Sequence, residues 1–166
     1  MEKVELLRRV APCSLCCHTC PAMKGGEIEQ TAGRLSHYLT GYYDFNRDNL
    51  PEQWKSYADT IKAFMDQLDN FARPKCSGCR DSSHGKCCIA GCFILECTMQ
   101  HGVDFCADCT EFPCKRGPES DVYSPTVIKE WLDGNNRIRE IGAEAYCEES
   151  CSHSHYLPFV KENHHD

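Results

Sequence analysis

EQWKSYADTIKAFMDQLDNF, residues 52–71, is the stretch that decides the fold class. Trp54, Tyr57, Ala58, Ile61, Phe64, Met65, Leu68 and Phe71 recur at three- and four-residue steps, which places them along one face of an α-helix. Pro51 stands just ahead, where a first helical turn tolerates proline, and Arg73-Pro74 ends the run. Because the aromatic residues follow the helical period, they read as core packing and not as a platform for stacking bases. Upstream, Ile28, Ala32, Leu35, Leu39 and Tyr42 repeat the same spacing over 27–44, and a polar link from Asn46 to Asn49 separates the two runs. Residues 27–71 therefore predict a helical pair.

Working outward, Ser124-Pro125 reads as an N-cap followed by proline at the first helical position. Val127, Trp131, Ile138, Ile141 and Ala145 carry a helical stripe to about Glu149, with Gly134 as a candidate break. A short helix is expected within 89–100, around Phe93, Ile94 and Leu95, and His101-Gly102 would stop it. No stretch alternates as a strand does, and the sole recurring motif is Cys-x-x-Cys. The expected architecture is mainly α: one small helical domain over 1–166 with irregular, cysteine-rich, metal-stapled loops. Its parts are a first cysteine cluster at 10–24, the helical pair at 27–71, a second cluster at 76–114, a C-terminal helix at 125–150 and a polar, histidine-containing tail at 151–166.

The 166 residues suffice for a real core, and 41% hydrophobic content argues against global disorder. Cysteine is the abnormal component, 15 residues, near the density at which composition alone is diagnostic. Such thiols serve either disulfides or metal, and the redox compartment decides between them. The N-terminus, with Glu2, Lys3, Glu5, Arg8 and Arg9, lacks the apolar core of a signal peptide, and no apolar run approaches a membrane span. The expected setting is the cytoplasm, with no membrane partner, and there the thiols point to metal. An odd count also leaves one cysteine over in any all-disulfide scheme. Eighteen basic against 25 acidic residues leave a net charge of −7. Each zinc held by four thiolates adds about −2, so two sites bring the chain to about −11, which argues against nucleic acid as a partner.

The first cluster, Cys13-Ser-Leu-Cys16-Cys17-His18-Thr-Cys20-Pro21, spaces its thiols so that a tight turn can bring several to one ion. It matches the ferredoxin iron–sulfur run only in part, since the middle spacing is missing. The second holds Cys76-Ser-Gly-Cys79, Cys87, Cys88, Cys92, Cys97, Cys106, Cys109 and Cys114. The pairs 76/79 and 106/109 predict one closed four-thiolate zinc site, although 26 residues between them exceed the common spacing. Buried inert thiols are the plain alternative. For Cys13, Cys17 and Cys20 a fourth ligand is needed, expected from the second cluster as Cys97 or Cys114. Cys147 and Cys151 share one helix face, as ligands or as surface thiols, and His153, His155, His164 and His165 read as solvated.

Taken together, Ala-Pro-Cys13-x-Leu-x-Cys17-x-x-Cys20-Pro, Cys76-x-Gly-Cys79, Cys92 and Cys97, and Gly102-Val-x-Phe-Cys106-x-x-Cys109-x-Glu-Phe-Pro-Cys114 resemble a cysteine-rich bacterial and archaeal family, domain of unknown function 3795. Asn136-Arg-Ile-Arg-Glu-Ile-Gly142 is similar to that family's closing helix, so the resemblance spans about 10–147. Ser14 stands where the family usually has glycine, and Cys16, Cys87, Cys88 and the 147/151 pair look like additions. The resemblance implies zinc binding and supplies no reaction. The candidate metal ligands are Cys13, Cys17, Cys20, Cys76, Cys79, Cys92, Cys97, Cys106, Cys109 and Cys114.

Three functions compete. A zinc-stabilised binding or regulatory module, acting on a protein partner, fits best, because no phosphate loop, His-Glu-x-x-His or nucleophile–base pair accompanies the thiols. An iron–sulfur redox protein would use the same ligands. A metal-handling or thiol-redox enzyme would need an open thiolate site, and thioredoxin-like chemistry needs a βαβ frame that this pattern lacks.

Overall fold

The computed structural model describes residues 1–81, 89–154 and 156–157. Cys87, Cys88, His155, His164 and His165, singled out above, lie outside the described residues. The protein is mainly helical: α1 is Lys3–Arg9, α2 Glu27–Asn49, α3 Lys55–Phe71, α4 Ile94–Gln100, α5 Pro125–Ile141 and α6 Ala143–Ser150. Among the described residues there is no strand, and an isolated antiparallel bridge joins Val10 to Cys16. No described helix is long and apolar enough to cross a membrane. The chain divides into two compact units, Pro21–Lys75 on the one hand and Met1–Cys20 with Cys76–Asp166 on the other.

The first of these units is the expected helical pair, α2 packed on α3. Helix α2 runs five residues beyond the expected end at 44, because its polar residues bond back along the helix. The Asn46 and Asn49 side-chain amides donate to the carbonyls of Tyr42 and Phe45, both at 2.7 Å. A 3-10 turn at Glu52–Trp54 then leads into α3. Ala32, Ala58 and Leu68 are buried, and Ser36 Oγ donates to Asp69 Oδ1 at 3.1 Å between the helices. The expected aromatic core is not what forms: Trp54, Tyr57, Phe64 and Phe71 are exposed. Two helices share a single seam, and alanine at that seam favours close approach, so the larger side chains stay outside.

The second unit holds α1, α4, α5, α6 and both cysteine clusters. Ser124 caps α5 by accepting from the Val127 amide at 3.3 Å, with Pro125 first in the helix, as the sequence predicts. Gly134 does not interrupt α5. The expected continuous helix over 125–150 breaks instead at Gly142, which divides it into α5 and α6. One buried cluster joins Leu6, Val10, Phe105, Ala107, Ile138 and Cys147. Another joins Ile94, Cys106, Phe112 and Trp131, with Cys13, Cys92, Cys109 and Cys114 packed against it. Cysteine here lies inside the core.

Helix α1, not expected from periodicity, gains from Glu5, which accepts from Arg8 Nε at 2.9 Å and Arg9 Nε at 2.6 Å. The Arg8 and Arg9 guanidinium groups hold the Glu5 carboxyl at about 2, against an ordinary 4.5. A lowered acid stabilises the fold above its unfolded value, and that contribution is lost as pH falls through the folded one. Water screens a side chain that is 33% exposed, so the contribution is held to about 1 kcal/mol at most. Glu5→Gln should therefore lower the melting temperature at pH 7 by about 2–4 °C. Most of that gap should close by pH 2; a gap independent of pH would show that the pair contributes through packing alone.

Candidate metal centre

One face of α5 builds the segment that carries most of the second cluster. Trp131, Asn135 and Arg139 follow at four-residue steps, so they lie in line along the helix. Asn135 is fully buried; its Oδ1 accepts from the Ala107 amide at 2.9 Å and its Nδ2 donates to the Trp131 carbonyl at 2.8 Å. Arg139 donates to three carbonyls of the cluster segment: Ala107 at 2.7 Å, Phe112 at 2.9 Å and Cys109 at 2.7 Å. Its guanidinium also lies over the Phe112 ring, 4.8 Å from the centroid. The Trp131 and Phe112 rings meet edge to face at 5.0 Å. The Phe112–Pro113 peptide is cis. Within the segment, Cys109 N donates to Cys106 O at 3.1 Å, closing the Cys-x-x-Cys turn, and Cys106 N donates to Pro12 O at 2.9 Å.

These constraints place Cys106, Cys109 and Cys114 around one small cavity of about 20 Å³, and α4 adds Cys97. The remaining wall includes Phe93, Ile94, Phe112 and Trp131. Burial pushes the Cys106 thiol up to about 11, and the sulfurs of Cys97, Cys114 and Cys109 act in the same direction. The Trp131 indole works against them, favouring the charged sulfur. Its Nε1 is buried without a hydrogen-bond partner of ordinary geometry, so Cys106 is the acceptor it is aimed to serve. His101, one turn beyond Cys97, has Nδ1 3.8 Å from the Cys97 sulfur and 2.8 Å from the Cys97 carbonyl.

A second set of sulfurs gathers where the N-terminal loop meets the Cys76–Cys79 turn. Gly78 takes φ of 91°, a conformation that side chains resist, and its amide points at the Cys76 sulfur, 3.4 Å away. Arg80, next in sequence, anchors this turn by donating to the carbonyls of Leu7 at 2.7 Å, Val10 at 2.5 Å and Asp104. The loop itself is closed by Ala11 N to Leu15 O at 2.9 Å and Cys17 N to Arg9 O at 2.6 Å. Burial pushes Cys13 up to about 12 and raises Cys17 further, and the sulfur of Cys79 adds to both.

The Cys76–Cys79 and Cys106–Cys109 turns each have other sulfurs beside them, and Cys13 feels the sulfurs of both Cys79 and Cys106. Cys106 and Cys109 share their cavity with Cys97 and Cys114, while Cys79 neighbours Cys13 and Cys17. Of the remaining candidates, Cys92 accepts from Tyr123 Oη at 3.0 Å, and Cys20 lies 4.0 Å from Tyr156 Oη. The anchors Arg80, Asn135 and Arg139 escaped the sequence reading, which followed apolar stripes and passed over polar residues on a buried face. Among the described residues, no three His, Cys, Asp or Glu side chains already stand in the coordination geometry of a metal ion. The donors still fit a thiophilic ion: four soft thiols line one small cavity, which His101 also lines, and a buried N–H there lacks an ordinary acceptor.

No curated protein and no solved structure matches the chain. A family model does, over residues 9–118, a region that holds both cysteine clusters and stops short of the Asn136–Gly142 segment. The thiols and loops that build the two sulfur sets lie within that matched region, and on it the chain belongs to the family described as Protein of unknown function (DUF3795).

Proposed function

We propose that this chain is a zinc-binding protein in which the metal is structural and the domain acts as a binding or regulatory module. The observation that carries the reading is the cavity shared by Cys97, Cys106, Cys109 and Cys114. Four thiolates make the closed tetrahedral donor set of a structural zinc, whereas catalytic zinc keeps one position open for water or substrate. At about 20 Å³, with aromatic walls, the cavity has room for a single ion. Trp131 Nε1 and Arg139 would act in support, one by donating to a ligating sulfur and the other by holding the loop carbonyls. Zinc bound there would supply a cross-link between α4 and the 106–114 segment. Cys13, Cys17 and Cys79 would supply a second donor set, with Cys20 or Cys76 as its fourth sulfur, and zinc there would tie the N-terminal loop to the Cys76–Cys79 turn. The net charge of −7 favours a protein partner over nucleic acid.

Metal analysis and an absorption spectrum of anaerobically purified protein test this reading together. We expect about two equivalents of zinc and no visible absorption. Bound iron with a broad visible band would replace zinc by an iron–sulfur cluster, and a metal-free folded chain would overturn the proposal.

A further inference from the structure

We propose that Cys16 and Cys151 form a peroxide-responsive pair that closes a disulfide between the N-terminal loop and the end of α6. Their sulfurs lie 3.4 Å apart across 135 residues of sequence. No bond joins them, and forming one would require their sulfurs to close by about 1.4 Å. The backbone around them is already clamped: Cys16 pairs with Val10 in the antiparallel bridge, and Tyr146 Oη of α6 donates to the Ser14 carbonyl at 2.8 Å. Cys16 is buried, whereas Cys151 is partly open and offers the path by which a small oxidant enters. Cys147, one turn back on α6, places a third sulfur 3.7 Å from Cys151 and is the rival partner. Neither Cys16 nor Cys151 belongs to the two donor sets proposed for zinc, although Cys16 is next to Cys17 within the region that the family model matches.

The oxidant is a hydroperoxide. One sulfur of the pair, as thiolate, attacks the peroxide oxygen; the O–O bond breaks, leaving a sulfenic acid and releasing an alkoxide that takes up a proton. The other sulfur then attacks the sulfenic sulfur, forming the S–S bond and expelling hydroxide, which leaves as water with the second thiol's proton. Two thiols lose two electrons, and the hydroperoxide becomes an alcohol and water. Closure would fasten the loop that carries Cys13 and Cys17 to α6, making the rigidity of that loop depend on oxidation.

The test treats the reduced full-length protein with one equivalent of hydrogen peroxide, alkylates remaining thiols and maps linked peptides without reduction. The major link expected is Cys16–Cys151, in the native chain and equally in Cys147→Ser, and it should vanish in Cys151→Ser. A dominant Cys147–Cys151 link, or links scattered among the other cysteines, would overturn the proposal. So would recovery of Cys16 and Cys151 as thiols while other cysteines oxidise. The same map after chelation covers the remaining rival: if the pair oxidises only once metal has been stripped, a bound ion and not peroxide governs these sulfurs, and the proposal fails. Failure here leaves the zinc reading intact, since metal content is measured separately.

Discussion

Replacing Cys106 and Cys109 together by serine should remove one equivalent of zinc and lower the melting temperature by about 10 °C or more. The two residues form one Cys-x-x-Cys turn, joined by the Cys109 amide to the Cys106 carbonyl, and both line the four-sulfur cavity. Serine keeps the size and loses the soft anionic sulfur, so two of four ligands go at once. Zinc held by such a site contributes on the order of 10 kcal/mol of binding energy, most of which is folding energy when the site does not exist in the unfolded chain. The buried surroundings deepen the effect, since Cys106 packs with Ile94, Phe112 and Trp131. Zinc content by elemental analysis and a thermal melt read the two consequences separately. Unchanged zinc with a lowered melting point would reduce these cysteines to packing residues.

The second large effect is expected at Trp131. Trp131→Ala should cost about 3–5 kcal/mol, because a buried indole leaves a hole that its neighbours cannot fill. The ring is 5% exposed and meets Phe112 edge to face. Gly117 packs so closely under it that a Cβ there would come within 2.7 Å of the ring. Trp131→Phe separates packing from chemistry. It keeps most of the aromatic contact and removes the N–H that faces Cys106, so most of the stability should return. Metal affinity should stay about 10- to 100-fold weaker, the usual effect of losing a partner of a metal ligand. Denaturant unfolding gives the first quantity and competition with a chromophoric chelator the second. If the phenylalanine variant binds metal as tightly as the native chain, the indole N–H has no part in the site.

What was legible in the sequence was what repeats along a single helix. The stripes at 27–44 and 52–71 gave α2 and α3 because helical periodicity survives in any context, and Ser124-Pro125 marked the start of α5 through local chemistry alone. The cysteine segments were visible for the same reason, as Cys-x-x-Cys turns are local. Grouping was not legible, since it depends on which loops the helices bring together. Spacing suggests 76/79 with 106/109 but is silent on the anchors: Arg80 ties the first turn to the N-terminal loop, and Arg139 and Asn135 tie the second to α5. Gly134 shows the limit most plainly. In sequence it reads as a helix break, whereas in the fold it lets Ser14 approach α5: a Cβ there would lie 2.8 Å from Ser14 Cβ and 2.9 Å from Tyr146 Oη. Nothing near Gly134 in sequence announces a neighbour 120 positions away.

The central claim is that thiolates alone hold the metal. Zinc K-edge absorption of the purified full-length chain tests it most directly, because it reads the identity and distance of the ligands. Each zinc should show a first shell of sulfur only, four atoms at about 2.3 Å. A shell containing oxygen or nitrogen at about 2.0 Å would contradict it, and so would a chain that folds with no zinc to measure.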